Sequence, residues 1–377
     1  MPLTPTSTKP LSPKLPVPHS GYHWDGSARR FFEGWYLRLT LPELDESVAF
    51  MYSIEDPIGG KIHSGGTAQI LGFGEQYRWR TFPDVQQFWA WRHRFGLGHW
   101  RSAIAHPSMQ QTPRYLDPET FDRTIHEGYQ ATAHLHQGAL GDPVSGKSVR
   151  WCYTVEPWDG WGDRTELPRA TAGWLSFLPV FEPGWQVLMA HGHASGWIDW
   201  EGDRHTFTNA PAYAEKNWGG AFPEKWFWIQ CNAFDAEPDL SVTAVGSWRE
   251  VLTWREKVGM VGIHYRGTFY EFPPKSGKLT WKVAPWGNWQ VVAETEDLRV
   301  ELVGTCDRPP ADIRVPSIEG MVFGCKDTTH GTLTLTLWQG QQRLLQATSH
   351  QAGLEVGGHP WQDVWEFGDV MMSADNR

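Results

Sequence analysis

The chain has 377 residues, a formal net charge of -10, 24 tryptophans and only 20 % charged residues. An acidic balance with no Lys/Arg cluster argues against a nucleic-acid partner, because phosphate backbones are bound through basic patches. No run approaches the roughly 18 apolar residues of a membrane-spanning helix, so any membrane contact is expected to be peripheral, and the length suggests two domains of roughly 100–200 residues.

In chain order, residues 1–18 are rich in Pro, Ser and Thr without an apolar signal segment, and predict a disordered leader on a cytoplasmic protein. Asp25 sits in an Asp-Gly turn, with Arg29 and Arg30 available for carboxylate pairing. Residues 33–41 alternate, with Glu33, Trp35, Leu37 and Leu39 on one face and Tyr36, Arg38 and Thr40 on the other, the period of a half-buried strand. His63 is either a turn residue or part of a pocket wall. Val85, Phe88, Trp89 and Arg92 recur at helical spacing and predict a short helix over 84–92, and Asp117-Pro118 predicts the cap and first residue of another. Period-two alternation returns at 129–136, 279–283, 298–303 and 331–338. His191 and His193 lack a third ligand and read as core histidines. The four cysteines, Cys152, Cys231, Cys306 and Cys325, show no metal spacing and read as reduced thiols.

Many short strands separated by Gly, Pro, Asp and Asn turns predict an all-β fold of sandwich or barrel type with few short helices. The tryptophan excess favours barrels that enclose a ligand, and the length allows two, at 19–208 and 209–377. No dinucleotide loop, nucleophile elbow or HExxH segment is present, so no cofactor and no metal are expected.

The most informative stretch is residues 212–232, AYAEKNWGGAFPEKWFWIQCN. A carboxylate, a lysine, a carboxamide and Tyr213, Trp218, Trp226 and Trp228 flank a Gly-Gly turn, the makings of an apolar pocket with one reactive end. This stretch and residues 18–36, PHSGYHWDGSARRFFEGWY, resemble the two signatures of the tocopherol cyclase family. The resemblance implies a pair of lipocalin-like (calycin-like) antiparallel barrels, distantly similar to carotenoid hydratases. It also implies closure of a chromanol ring from prenylated hydroquinones such as 2-methyl-6-phytylhydroquinone and its dimethyl homologue. The short leader is unlike plant members and points to a photosynthetic bacterium, with peripheral placement on thylakoid or plasma membrane.

Such a ring closure needs a proton delivered to an alkene, attack by the phenol oxygen and loss of the phenol proton. The protein must therefore hold a carboxylic acid neutral in an apolar site, receive the phenol proton and exclude water. Glu215 is the first candidate acid, with Tyr213 on the same strand face; the Tyr-x-acid spacing resembles the Tyr-x-Asp of the hydratases. Glu33, of the same parity as Trp35, is the second. The alternatives are an ion pair of Glu215 with Lys216 and one of Glu33 with Arg29 or Arg30. Trp35, Lys216, Asn217, Trp218, Trp226, Trp228 and His63 are expected to line the pocket. Trp89, Trp91 and Trp100, in the insert 82–100, either meet a membrane or plug a barrel end. A prenyl-lipid carrier and an acid-catalysed isoprenoid hydratase are the competing functions.

Overall fold

The computed structural model describes residues 17–102, 115–142, 145–178, 182–251, 254–274 and 277–372. Apart from Val17 and Pro18, the expected leader lies outside them. Strands dominate the regular structure of the described residues, with one short α-helix, as alternation predicted. The first sheet holds β1 (Phe32–Leu41), β2 (Glu46–Glu55), β3 (Gly65–Leu71), β4 (Tyr77–Phe82), β5 (Trp89–Ala90) and β6 (Gly96–Ser102). It continues with β7 (Ile125–Thr132), β8 (Leu135–Gly141), β9 (Ser148–Asp159), β10 (Gly184–Trp200) and β11 (Asp203–Gly219). Their order is β4-β3-β2-β1-β11-β10-β9-β8-β7-β6-β5, so the first and last strands of the set pair antiparallel in its middle.

The second sheet holds β12 (Lys225–Cys231), β13 (Ser241–Val251), β14 (Trp254–Tyr265), β15 (Thr268–Phe272), β16 (Lys278–Val283) and β17 (Asn288–Glu294). It is completed by β18 (Leu298–Thr305), β19 (Ala311–Ser317), β20 (Gly320–Gln339), β21 (Gln342–Gly358) and β22 (Trp365–Phe367). Here β12 joins β13 to β21, and β19 hangs on β20. The chain leaves the first sheet after Gly219 and enters the second at Lys225, so residues 209–219, expected at the head of the second barrel, are strand β11 of the first sheet.

Each sheet curls round its own core. Phe82 on β4 meets His99 on β6 and Tyr129 on β7, with ring centres 5.1 and 5.7 Å apart, drawing the sheet's two ends together through side chains. Inside, Tyr52 stacks on Tyr129 at 4.1 Å and shares a 2.6 Å hydrogen bond with His136. The second core gathers Phe227, Trp281, Trp289, Leu302 and Leu335. A third apolar cluster lies between the sheets and includes Tyr36, Met51, Tyr213, Trp226, Trp228, Met260 and Val315. Arg38, buried, pins the two together: its guanidinium donates to Gln230 Oε1 at 3.0 Å and to the carbonyls of Thr329 and Gln351 at 3.1 and 2.6 Å.

Three local expectations meet the structure differently. Asp117 caps helix α1 (Pro118–Thr124) by accepting from Thr120 N at 2.9 Å, as its sequence predicts. The predicted helix over 84–92 is only a 3-10 turn, Val85–Gln87, followed by β5. Trp89 lies beside Gly98 of β6, where a Cβ would stand 2.5 Å from the indole nitrogen, and that packing outweighs the weak drive to form so short a helix. The alternation over 129–136 is broken into β7 and β8, because the Thr132 hydroxyl accepts from Leu135 N at 3.0 Å and closes a turn.

Candidate active site between the two sheets

Strand parity sorts the candidate residues into two groups on opposite faces of β1 and β11. Trp35, Leu37, Leu39, Ala212 and Ala214 face the first core, whereas Tyr36 and Tyr213 face the second sheet. Glu33 and Lys216 fall on the inner face, and Glu215, opposite Tyr36 in the register, falls on the outer one. On β12 the same rule sends Phe227 and Ile229 into the second core and Trp226 and Trp228 between the sheets.

Between the sheets lies an apolar cavity whose wall includes Tyr36, Trp185, Asn217, Phe222, Met260 and Val315, with Glu215 from one sheet and Glu355 from the other. Tyr213 donates its hydroxyl to Glu215 Oε2 at 2.6 Å, and Trp228 donates Nε1 to the same oxygen at 3.0 Å. Burial pushes the Glu215 carboxyl above the usual range, against the lowering effect of hydrogen bonds from Tyr213, Trp185, Trp228 and Asn217. Glu355 accepts from Trp226 Nε1; burial raises it to about 7, and the charge of Glu215 adds to the rise. Asp327, opposite Glu355 in the β20–β21 register, is likewise raised by burial and by Glu355. The buried Tyr36 hydroxyl has no hydrogen-bond partner among the described residues, which leaves a donor over for a ligand. Two glycines of β21 make the indoles fit: a Cβ on Gly357 would lie 2.0 Å from Trp226, and one on Gly353 2.8 Å from Trp228.

This is an aromatic cleft holding two carboxyls raised by burial above their usual range, a setting able to move protons to and from an apolar ligand. The family described as tocopherol cyclase-like matches residues 29–358. The chain belongs to that family. It is 41 % identical over 385 residues to a probable chloroplastic tocopherol cyclase of Oryza sativa subsp. japonica, covering 95 % of this chain and 82 % of the relative. It is 41 % identical over 402 residues to the chloroplastic tocopherol cyclase of Zea mays, covering 99 % of this chain and 84 % of the relative. Among solved structures, CghA superposes with a TM-score of 0.53 over 88 % of each chain at 6 % identity, a likeness of fold alone.

Within this tocopherol cyclase-like chain, the other expected residues have different places. Glu33 pairs with Lys216, not with Arg29 or Arg30, and both groups are fully buried. Burial alone would raise Glu33; Lys216 and His23 outweigh it and hold the carboxyl below its usual range. Lys216 also donates to Gly21 O at 2.7 Å and lies over the rings of Trp35 and Trp218, at 5.4 and 5.3 Å. Glu33, Lys216 and Trp218 thus form an internal brace that ties the segment before β1 to β11, on the far side of the strands from Glu215, while Trp35, packed beside the brace in the first core, also borders the cavity.

His63 is exposed in its turn and packs against Gly320, off the cavity wall. Arg29 meets Glu182, Arg30 meets Glu55 and Asp56, and Asp25 caps its own turn through Ser27 N. His191 is buried, and no group of three metal-binding side chains occurs among the described residues. All four cysteines are unpaired.

Trp89 and Trp100 are buried with Leu116, Phe121 and Ile125, so they close one end of the first sheet. The packing against α1 removes them from any outer surface.

Sequence reading missed Glu355, Asp327, Trp185 and the Arg38 bolt. A signal for Glu355 existed: in Gly353-Leu354-Glu355-Val356-Gly357 a carboxylate is flanked at i±2 by glycines on its own strand face, a notch for large neighbours.

Proposed function

We propose that the chain is a tocopherol cyclase that closes the chromanol ring of a prenylated hydroquinone, with Glu215 as proton donor. The observation that carries the reading is Glu215 itself, a buried carboxyl held above its usual range beside an aromatic cavity, in a chain 41 % identical to tocopherol cyclases over nearly its full length. Glu215 delivers a proton to the less substituted alkene carbon, and positive charge gathers on the tertiary carbon. The faces of Trp185, Trp226 and Trp228 stabilise that charge, each by roughly 0.5–2 kcal/mol when desolvated. The phenol oxygen, hydrogen-bonded by Tyr36, closes the ring and loses its proton. Tyr213 and Trp228 hold the Glu215 carboxyl in place. Purified protein incubated with 2-methyl-6-phytylhydroquinone under anaerobic conditions is expected to yield the chromanol. A tertiary alcohol would mark a hydratase, and unchanged bound substrate a carrier.

The reaction is an isomerisation that transfers no electrons to an acceptor, and its proton comes from a side chain. Dialysis against a chelator is therefore expected to leave turnover unchanged. Activity lost on chelation and restored by a divalent metal contradicts this.

No described helix is long and apolar enough to cross a membrane. A substrate with a long prenyl tail resides in lipid, and exposed apolar groups flank the cavity. Trp174 and Phe177, 71 % and 64 % exposed, stand in a short turn beside the lining residue Ala172. Ile318, 79 % exposed, tips the hairpin that carries the lining residues Pro316 and Met321. These groups, not Trp89 and Trp91, are the docking surface in this reading. In liposome flotation, the Trp174→Ser/Phe177→Ser double variant should lose most lipid-bound protein while keeping its melting temperature. Partitioning equal to wild type removes this turn from the account.

A further inference from the structure

The mechanism leaves the phenol proton without a named acceptor. Glu355 and Glu215 come from different sheets, β21 and β11, yet both open onto the same cavity. Each is held by an indole of β12: Trp226 donates to Glu355 and Trp228 to Glu215. These two tryptophans are two residues apart on one strand face, about 7 Å along the strand. Glu355 stands opposite Trp228 in the β12–β21 register, so the two carboxyls reach the cavity from facing sheets near one indole, where a ligand's alkene carbon can face one and its phenol oxygen the other. Glu355 also keeps some accessible surface, and that surface belongs to the cavity wall.

We propose that Glu355 receives the phenol proton, so that Glu215 and Glu355 act as a proton donor and acceptor on opposite sides of the bound prenylquinol. This rests on the cyclase reading above. The step balances. The Glu215 O–H bond breaks as the alkene C–H bond forms, the phenol oxygen bonds to the tertiary carbon, and its O–H bond breaks as a Glu355 O–H bond forms. Substrate and product are isomers, and one proton has crossed from Glu215 to Glu355. Its return between the two carboxyls, once product leaves, resets the site.

The environment of Glu355 supports the assignment. The groups facing it are Trp226 on β12, Cys325 and Asp327 on β20, and Glu215 across the cavity. Arg38 and Tyr36, facing Asp327 from β1, complete the polar surroundings. Burial raises the Glu355 carboxyl, and the charge of Glu215 adds to the rise only once Glu215 is ionised, so Glu355 ionises more readily while Glu215 holds its proton, as an acceptor must. While Glu215 keeps its own proton, Glu355 can ionise beside it; the titration belongs to the pair.

The test is the pH profile of chromanol formation from 2-methyl-6-phytylhydroquinone by the full chain. In the wild type, kcat should rise with pH as the carboxyl pair gives up its first proton and fall at higher pH as it gives up the second. Glu355→Gln should lower kcat roughly 100-fold, erase the rising limb and leave KM within about twofold. A merely structural Glu355 would change KM and melting temperature but not the shape of the profile. If Glu355→Gln does not fold, Trp226→Phe decides. Removing the indole donor takes away a hydrogen bond that lowers Glu355, so the rising limb should move to higher pH. An unmoved limb in Trp226→Phe, or wild-type kcat and profile in Glu355→Gln, overturns the assignment while the cyclase reading stands. A wild-type protein that makes no chromanol overturns the reading itself.

Discussion

Glu215→Gln should reduce chromanol formation by roughly 10²–10⁴ while leaving KM near the wild-type value, because the amide keeps the shape of the acid but has no proton to transfer. Tyr213 and Trp228 both donate to Glu215 Oε2, and an amide oxygen can accept from both. Stability gives an independent check. Burial raises the Glu215 pKa, so its neutral form is the one the fold favours. The stability linked to it is fully present below the unfolded carboxylate pKa, about 4.3, and is lost as pH rises through the raised folded value. A glutamine mimics the neutral acid, so the variant should match the wild-type melting temperature below about pH 4 and exceed it increasingly as pH rises above that. A variant that loses turnover, affinity and melting temperature together would instead mark Glu215 as structural.

The opposite behaviour is expected at the brace. Lys216→Met leaves the Glu33 carboxylate buried without its cation, which costs on the order of 3–5 kcal/mol, a drop in Tm on the order of 10 °C. His23 N, which donates to Glu33 Oε2 at 2.8 Å, can offset only part of this. The double change Glu33→Gln/Lys216→Met removes both charges and should recover a large share of the loss, a coupling that differential scanning calorimetry on the single and double variants measures. The sign with pH is also opposite to that of Glu215. Glu33 is held below its usual range by Lys216 and His23 over the effect of burial, so its contribution is present above about 4.3 and disappears as pH falls through the lowered folded value. Equal melting temperatures for Lys216→Met and wild type at neutral pH would remove the brace.

The contrast between the two carboxylates shows how far the sequence could be read. Alternation at 33–41, 279–283 and 298–303 marked real strands, and residues 212–232 contained Glu215, Asn217, Trp226 and Trp228, all on the inter-sheet cavity, and Tyr213, which donates to Glu215. Parity along β11 already separated Glu215 from Lys216. What it could not supply is that both faces of β1 and β11 are covered, one by the first core and one by the second sheet. Lys216 and Trp218, expected in the same pocket as Glu215, therefore lie behind it, whereas Trp35 borders the cavity while packing into the first core. Glu355 escaped for a different reason. Its partner Trp226 is 129 residues away, and only the β12–β21 pairing brings them together. At 84–92, helical spacing of large side chains was mistaken for a helix because their packing against Gly98 and its neighbours lies outside any local window.

The most direct measurement of the central claim, that a side-chain acid in this cavity protonates the alkene, is the isotope content of the product formed in D2O. Glu215 exchanges its proton with solvent between turnovers, so each chromanol should carry one carbon-bound deuterium. It should sit at the ring carbon beside the oxygen-bearing tertiary carbon, and the Glu215→Gln variant should form almost none of this product. Chromanol formed at the wild-type rate without that deuterium, or formed undiminished by Glu215→Gln, would contradict the account.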